Sequence, residues 1–185
     1  MPISSVPLHT LSLVPHPTTP APAGVSIAVG LWRKPDGGWR LDYRIRDPQQ
    51  RIRWPAPQAP GAADGLWQHT CCEAFVSAPP DDAYLEFNAS PSAQWACYRF
   101  ARYRERADQG QPAWRPRIEC AHDGADTIVS VPIDAALLPQ AALHVGLTCV
   151  IETTEGGLSY WALTHPTATP DFHHRDGFAL MPGKE

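Results

Sequence analysis

In the run WRLDYRI, residues 39–45, apolar and polar side chains alternate strictly. A period of two places successive side chains on opposite faces of a β-strand. The apolar face holds Trp39, Leu41, Tyr43 and Ile45, and the polar face holds Arg40, Asp42, Arg44 and Arg46. Such a strand is typical of an antiparallel sheet with one face on a core and the other in solvent.

Similar short runs occur along the whole chain. The run VSIAVGLW, residues 25–32, precedes this strand, and Asp36 with the glycines at 37–38 predicts a hairpin turn between them. Further strands are predicted at 9–14, 70–77, 84–89, 94–102, 114–121, 126–133, 143–152, 158–165 and 177–180. The connections between strands are rich in proline and glycine. About ten short strands in one domain favour a sandwich or a barrel.

One segment, residues 134–142, has a helical composition, with Asp134 as a candidate N-cap. Pro139 interrupts it, so we expect at most one short helical turn. The length of 185 residues predicts a single domain over residues 1–185.

Composition excludes several classes of function. The net charge of −4 gives no basic field to neutralise phosphates, so we expect no nucleic acid partner. No apolar run approaches the ~20 residues of a membrane helix, so we expect no membrane association. The N-terminus lacks the pattern of a signal peptide. The cysteine count is odd with no C-x-x-C pair, so we expect reduced thiols and a cytoplasmic location, the five residues being Cys71, Cys72, Cys97, Cys120 and Cys149.

Polar side chains gather on the predicted strands 70–77, 84–89 and 94–102. With alternation along each strand, one shared face is predicted to carry Glu73, Glu86, Asn88, Trp95 and Arg99. The opposite phase, with Phe87 and Tyr98, is predicted to lie between the sheets. Carboxylates, an amide and a guanidinium bind hydroxyl groups, and a Trp ring offers an apolar wall, as in many small-molecule sites. The alternative is a solvated outer face with a cross-strand ion pair between Glu86 and Arg99.

The run LWQHTCCEAFVSAPPDDAYLEFNASPSAQWACYRF, residues 66–100, resembles DOMON-like proteins, which are related to family 9 carbohydrate-binding modules. The closing run YWALTHPTATPDFHHRDGF, residues 160–178, is similar to an uncharacterised bacterial group of the same kind. The resemblance implies an antiparallel β-sandwich that binds a sugar or haem.

The resemblance also implies site residues. In the carbohydrate-binding branch, a Trp and an acidic residue six positions later contribute to a sugar clamp, and Trp67 and Glu73 have that spacing. A second Trp lies late in the chain, for which Trp161 is the candidate, and Arg99 is the nearest equivalent of the hydroxyl-binding arginines. The haem branch holds iron by Met and His. Because the methionines are Met1 and Met181, near the termini, haem is disfavoured and we expect no cofactor.

The C-terminal stretch THPTATPDFHHRDGF, residues 164–178, leaves two interpretations open. Asp171 and His173 lie two residues apart, and with His165 they form a possible metal site of the His/His/Asp kind. Alternatively, these residues fix a loop by hydrogen bonds, or His165 and His173 border a ligand site. We favour the second interpretation and predict no metal.

These observations lead to a non-catalytic β-sandwich that binds a small molecule, most simply a carbohydrate or a carbohydrate-derived metabolite. The predicted ligand-binding residues are Trp67, Glu73, Glu86, Asn88, Trp95, Arg99, Trp161, His165 and His173. One alternative is a sugar-processing enzyme in which Glu73, Glu86 and a C-terminal histidine exchange protons. The other is a haem- or metal-binding domain. The sequence identifies no protein partner.

Overall fold

The computed structural model describes residues 6–108, 110 and 112–183, and twelve strands lie within them. The strands are β1 (His9–Pro15), β2 (Ser26–Arg33), β3 (Trp39–Arg46), β4 (Gly61–Ala62), β5 (Cys71–Ser77), β6 (Tyr84–Ala89), β7 (Gln94–Arg102), β8 (Glu105–Arg106), β9 (Glu119–Asp123), β10 (Asp126–Ile133), β11 (His144–Glu152) and β12 (Leu158–Ala162). The predicted all-β fold is confirmed.

The strands form two layers that share strand β1. The first sheet has the order β1-β2-β3-β10-β9, and the second has the order β4-β7-β6-β5-β11-β12, with β8 paired to β7. Residues 9–13 of β1 pair with β2, whereas Val14 and Pro15 pair with β12. All pairs are antiparallel except β4 with β7, which run parallel.

The main core fills the space between the two sheets. Val29, Leu41 and Tyr43 of the first sheet pack there with Phe87 and Leu147 of the second, all almost fully buried. The Tyr43 hydroxyl crosses the core and donates to the carbonyl of Glu73 at 2.6 Å, which joins the layers directly. The predicted apolar face of the strand at 39–45 and the burial of Phe87 are therefore confirmed.

A second, smaller core lies on the outer face of the second sheet. Its buried members are Leu66, Cys71, Phe75, Tyr84, Ala96, Tyr98, Phe100 and Phe178. Tyr98 is buried here and not between the sheets, so the face of the strand predicted for this residue was wrong. The C-terminal segment passes over this surface and supplies Phe178, which stacks on Phe75 at 5.7 Å between ring centroids.

Three details differ from the sequence prediction. Single 3-10 turns occur at Leu66–Gln68, Ala135–Leu137 and Arg175–Gly177, where at most one was expected. Asp134 precedes the middle turn, but its side chain caps no backbone N–H, and its carboxylate instead lies 3.6 Å from the ammonium of Lys34. Residues 177–180 form no strand and contribute only an isolated bridge between Leu180 and Val145. None of the described helical turns has the length and hydropathy needed to span a membrane.

Candidate functional site

A cleft of about 660 Å³ opens on the outer face of the second sheet. Its floor is formed by strands β5, β6 and β11, and the C-terminal segment closes one side. The lining residues are Trp67, Glu73, Phe75, Glu86, Phe100, Arg104, Arg106, Val150, Tyr160, Pro170, Phe172 and His173. Two carboxyl groups, two guanidinium groups and several aromatic rings thus face one space, which is the composition of a small-molecule site.

Strand register places the two carboxyl groups close together on the floor. Glu73 of β5 lies opposite Asn88 of β6, and Phe75 lies opposite Glu86. Glu73 and Glu86 are therefore diagonal neighbours on one face of two adjacent strands. The backbone positions of such neighbours are roughly 7–8 Å apart. Both carboxyl groups reach the cleft from the same side.

Glu73 is 3% exposed, and its two carboxyl oxygens differ in their surroundings. Oε2 accepts a hydrogen bond from the Thr148 hydroxyl at 3.2 Å. Oε1 is buried and has no hydrogen-bond partner among the described residues. Burial, and then the negative charge of Glu86, raise the pKa of Glu73 well above its ordinary value. A buried oxygen of this kind is open to a donor supplied by a ligand.

Glu86 is held by a neighbour on its own strand. The Asn88 amide donates to Oε1 at 2.6 Å, which leaves Oε2 for other contacts. Burial raises the pKa of Glu86 to about 7, against the opposing effects of the Asn88 hydrogen bond and of Arg106 and Arg104. Glu86 therefore changes charge near neutral pH.

His173 faces Glu86 from the C-terminal segment, with Nε2 at 3.8 Å from Oε2. Its Nδ1 is 2.8 Å from the hydroxyl of Tyr84, and that hydroxyl also accepts the backbone N–H of Arg104 at 3.1 Å. Burial lowers the pKa of His173 to about 4, so the ring is neutral at pH 7. We assign the Tyr84 proton to the bond with Nδ1, which places the imidazole proton on Nε2, toward Glu86.

The arginines at the border of the cleft are partly neutralised. Arg104 pairs with Asp171 at 2.9 Å, and Asp171 also accepts from the Tyr103 hydroxyl at 2.6 Å. Arg106 lies over the ring of Tyr98 at 4.0 Å, where an interaction with the π-face is favourable. The positive charges of both arginines still act on the cleft, because they help to lower the pKa of His173 and oppose the rise in the pKa of Glu86.

Two pairs of aromatic rings flank the carboxyl groups. Trp67 meets the ring of Tyr98 edge-on at 5.9 Å, and Tyr160 meets Phe172 edge-on at 5.8 Å. Tyr98 lies on β7 and Tyr160 on β12, which are four strand spacings apart, roughly 19 Å at ~4.8 Å each. The floor between the pairs carries Glu73, so the cleft has aromatic rings at its two sides and a carboxyl group at its floor.

Comparison with known proteins identifies the architecture. No protein-family model and no curated protein sequence matches the chain. A structure from Bacteroides uniformis ATCC 8492, of a protein inferred to bind carbohydrate, matches 91% of this chain and 83% of its own, with a TM-score of 0.63 and 14% identity. A family 9 carbohydrate-binding module from Caldicellulosiruptor kristjanssonii in complex with glucose matches 91% and 81% of the two chains, with a TM-score of 0.59 and 9% identity.

A family 9 carbohydrate-binding module from the same organism in complex with cellotriose matches 85% of this chain and 74% of its own, with a TM-score of 0.53 and 10% identity. The chain has the fold of a family 9 carbohydrate-binding module. The part of the resemblance that points to these modules is thereby confirmed, whereas the relation to DOMON-like proteins stays a prediction.

The cleft of this module-like fold brings together part of the predicted site. Trp67, Glu73, Glu86 and His173 line it, and Asn88 holds Glu86 from below. Whether these residues bind a ligand stays a prediction.

Trp95 and Arg99 do not join this group, and their predicted position was wrong. Register pairs Trp95 with Ala89 and Arg99 with Leu85, on the face turned away from the cleft. The Trp95 indole donates to the carbonyl of Trp114 at 2.9 Å and packs against the main core. The error has a physical reason: strand β7 carries bulky side chains in both phases, because both faces of the second sheet are covered.

Trp161 and His165 also lie outside the cleft. Trp161 is buried in the main core, and its indole donates to the Ser159 hydroxyl at 2.9 Å. His165 lies near β1, where Nε2 is 2.8 Å from the carbonyl of Val14 and the ring meets His16 edge-on at 4.8 Å. His165 thus holds the C-terminal segment against strand β1.

Several lining residues were missed by sequence reasoning. Tyr160 faces the cleft because it is adjacent to Trp161 in a strand, and adjacent side chains point to opposite faces. Alternation therefore contained this signal. Phe172, Arg104 and Arg106 lie in or beside connecting segments, and nothing in their spacing predicts where those segments pass.

The possible metal site at Asp171, His173 and His165 is not assembled. His173 and Asp171 are engaged with Tyr84 and Arg104, while His165 binds the carbonyl of Val14. Among residues 6–108, 110 and 112–183, no three His, Cys, Asp or Glu side chains are placed to hold one metal ion.

Proposed function

We propose that the chain is a carbohydrate-binding protein whose ligand occupies the cleft on the outer face of the second sheet. The observation that carries this proposal is the buried Oε1 of Glu73, which lies on the cleft floor between two aromatic pairs and has no hydrogen-bond partner in the described part of the chain. The solved modules with glucose and cellotriose, which share the fold, support a sugar as ligand.

The chemistry of a sugar fits the cleft. Hydroxyl groups donate hydrogen bonds to buried carboxyl oxygens, which satisfies the open position on Glu73. The C–H faces of a pyranose are apolar and pack on aromatic rings, which Trp67 supplies at one side of the cleft and Tyr160 at the other. Because the two sides are four strand spacings apart, one pyranose ring contacts one side at a time. A ligand without a hydrogen-bond donor would leave Oε1 of Glu73 buried and unpaired, which costs about 1–3 kcal/mol.

The remaining polar groups set the orientation of the ligand in this proposal. Arg104 and Arg106 donate from the border, and His173 offers its Nε2–H beside Glu86. Asn88 acts through Glu86, because its amide fixes one carboxyl oxygen and turns the other toward the ligand. Asn88 is thus a positioning residue.

We further propose a reducing compartment and no cofactor. The five cysteines are free, and Cys72 and Cys149 remain thiols although they are directly opposite each other on β5 and β11. This favours the expected cytoplasmic location.

Met181 is exposed and outside the cleft, so it offers no internal ligand for haem iron.

The proposal is tested by titrating the protein with glucose and with cellotriose in a calorimeter. Trp67→Ala removes one wall of the cleft. The matched control is Trp32→Ala, since Trp32 lies on the outer face of the first sheet, beside Arg40 at 5.5 Å. Binding that is lost in the first variant and kept in the control supports the cleft as the site.

A further inference from the structure

The two carboxyl groups on the cleft floor exceed what binding alone requires. An amide oxygen would also accept a hydrogen bond from a hydroxyl group, and an amide would avoid the free energy needed to bury an ionisable group. Instead, Glu73 is buried with its Oε1 unpartnered among the described residues, and Glu86 is its diagonal neighbour on the adjacent strand. Carboxyl groups differ from amides in that they give and take protons.

The protonation of the pair suits proton exchange at neutral pH. The pKa of Glu86 is about 7, and the pKa of Glu73 is raised well above its ordinary value, in part by the charge of Glu86. Two such groups titrate as a pair, so the site holds a proton on one carboxyl while the other ionises. An acid and a base are then present together, as bifunctional catalysis requires.

The placement of the pair decides which reaction is possible. Hydrolysis of a glycosidic bond needs two carboxyl groups that flank the bond, with one reacting from the opposite face of the sugar ring. Glu73 and Glu86 point from the same sheet face and reach a ligand from one side. A pair on one side can instead serve two oxygens bonded to the same carbon, such as the hydroxyl and ring oxygens of an anomeric centre.

We propose that the cleft interconverts the α and β anomers of a reducing sugar, with Glu73 and Glu86 as the proton-transferring pair. The ionised carboxylate takes the proton of the anomeric hydroxyl while the protonated carboxyl gives its proton to the ring oxygen. The bond between the anomeric carbon and the ring oxygen breaks, and the carbonyl of the open-chain sugar forms.

Rotation about the bond next to the carbonyl and the reverse proton transfers close the ring as the other anomer. No atom or electron is gained or lost overall, so no co-reactant is needed. This inference rests on the proposed sugar binding and replaces the expectation of a non-catalytic protein. Asn88 and His173 act as positioning residues, since they lie beside the two carboxyl oxygens of Glu86 and fix the orientation of its carboxyl group.

The experiment follows anomer exchange of D-glucose by NMR magnetisation transfer, with calorimetry on the same samples. The wild-type protein is expected to raise the exchange rate above that of buffer. Glu73→Gln and Glu86→Gln keep the shape of the side chain and are expected to lower the protein-dependent rate by about 10²-fold while glucose still binds. Glu119→Gln, on the exposed strand β9, is the control that should leave the rate unchanged.

Methyl α-D-glucoside separates binding from turnover, because its anomeric oxygen carries no proton. It is expected to bind and to slow glucose exchange by competition. Glucose binding without faster exchange overturns this inference and leaves the proposed function standing. If neither glucose nor cellotriose binds, the proposed function fails and this inference fails with it. Faster exchange that persists in both Gln variants also overturns it.

Discussion

Nε2 of His173 lies 3.8 Å from Oε2 of Glu86, and burial shifts the pKa values of the two groups in opposite directions. The pKa of Glu86 rises to about 7 and that of His173 falls to about 4. Between these values the acid keeps its proton and the base stays neutral, so both are uncharged. Their contributions to folding stability therefore depend on pH with opposite sign.

Glu86→Gln tests the acid. The folded pKa of about 7 exceeds the ordinary value of 4.5, so the contribution of Glu86 is fully present below pH 4.5 and is lost as the pH rises to about 7. We expect the free energy of unfolding of the wild type, relative to the variant, to fall by about 3 kcal/mol over that range. Urea unfolding at several pH values measures it, and a difference independent of pH would contradict the burial of Glu86.

His173→Gln tests the base and keeps a hydrogen-bond acceptor for Tyr84. The folded pKa of about 4 lies below the ordinary 6.5, so the contribution of neutral His173 is fully present above pH 6.5 and is lost as the pH falls to about 4. The wild type should lose about 3 kcal/mol relative to this variant on acidification. The same urea series measures it, and the opposite slope would show that the ring is protonated in the folded state.

The adjacent pair Tyr160 and Trp161 tests the register of β12. Tyr160 lines the cleft, so Tyr160→Ala is expected to weaken sugar binding about tenfold with little change in stability. Trp161 is buried in the core, so Trp161→Ala is expected to cost about 3–5 kcal/mol of stability. Calorimetry and urea unfolding separate the two effects. The reverse pattern would mean that β12 presents the other face to the cleft.

The cysteines give a test of burial that needs no ligand. Four are buried and Cys120 is exposed. A thiol reagent should modify one residue rapidly in the native protein and all five after unfolding without reductant. Cys120→Ser should remove the rapid phase alone. A count below five in the unfolded protein would reveal a disulfide, which the structure does not contain.

Much of the fold follows from alternation in the sequence. The strand at 39–45 has one apolar and one polar face, because the first sheet has a core on one side and solvent on the other. Leu41 and Arg44 alone are enough to predict which face of this strand points to the core. The same rule placed Glu73, Glu86 and Asn88 on one face correctly, since each has apolar neighbours in the other phase.

Alternation fails where both faces of a strand are covered. In β7, Tyr98 packs in the outer core while Cys97 and Trp95 face the main core, so hydrophobicity does not distinguish the two phases. Trp95 and Arg99 were misplaced for this reason. The path of the C-terminal segment was also unpredictable, because Phe172 reaches the cleft through long-range contacts that leave no periodic pattern.

Sugar binding in the cleft can be measured by titrating wild type, Trp67→Ala and Trp32→Ala with glucose and cellotriose in one calorimetric series. We predict saturable binding of at least one sugar to the wild type and to Trp32→Ala, and none measurable to Trp67→Ala, which remains folded. Binding that survives loss of Trp67, or no binding of either sugar to the wild type, would contradict the account.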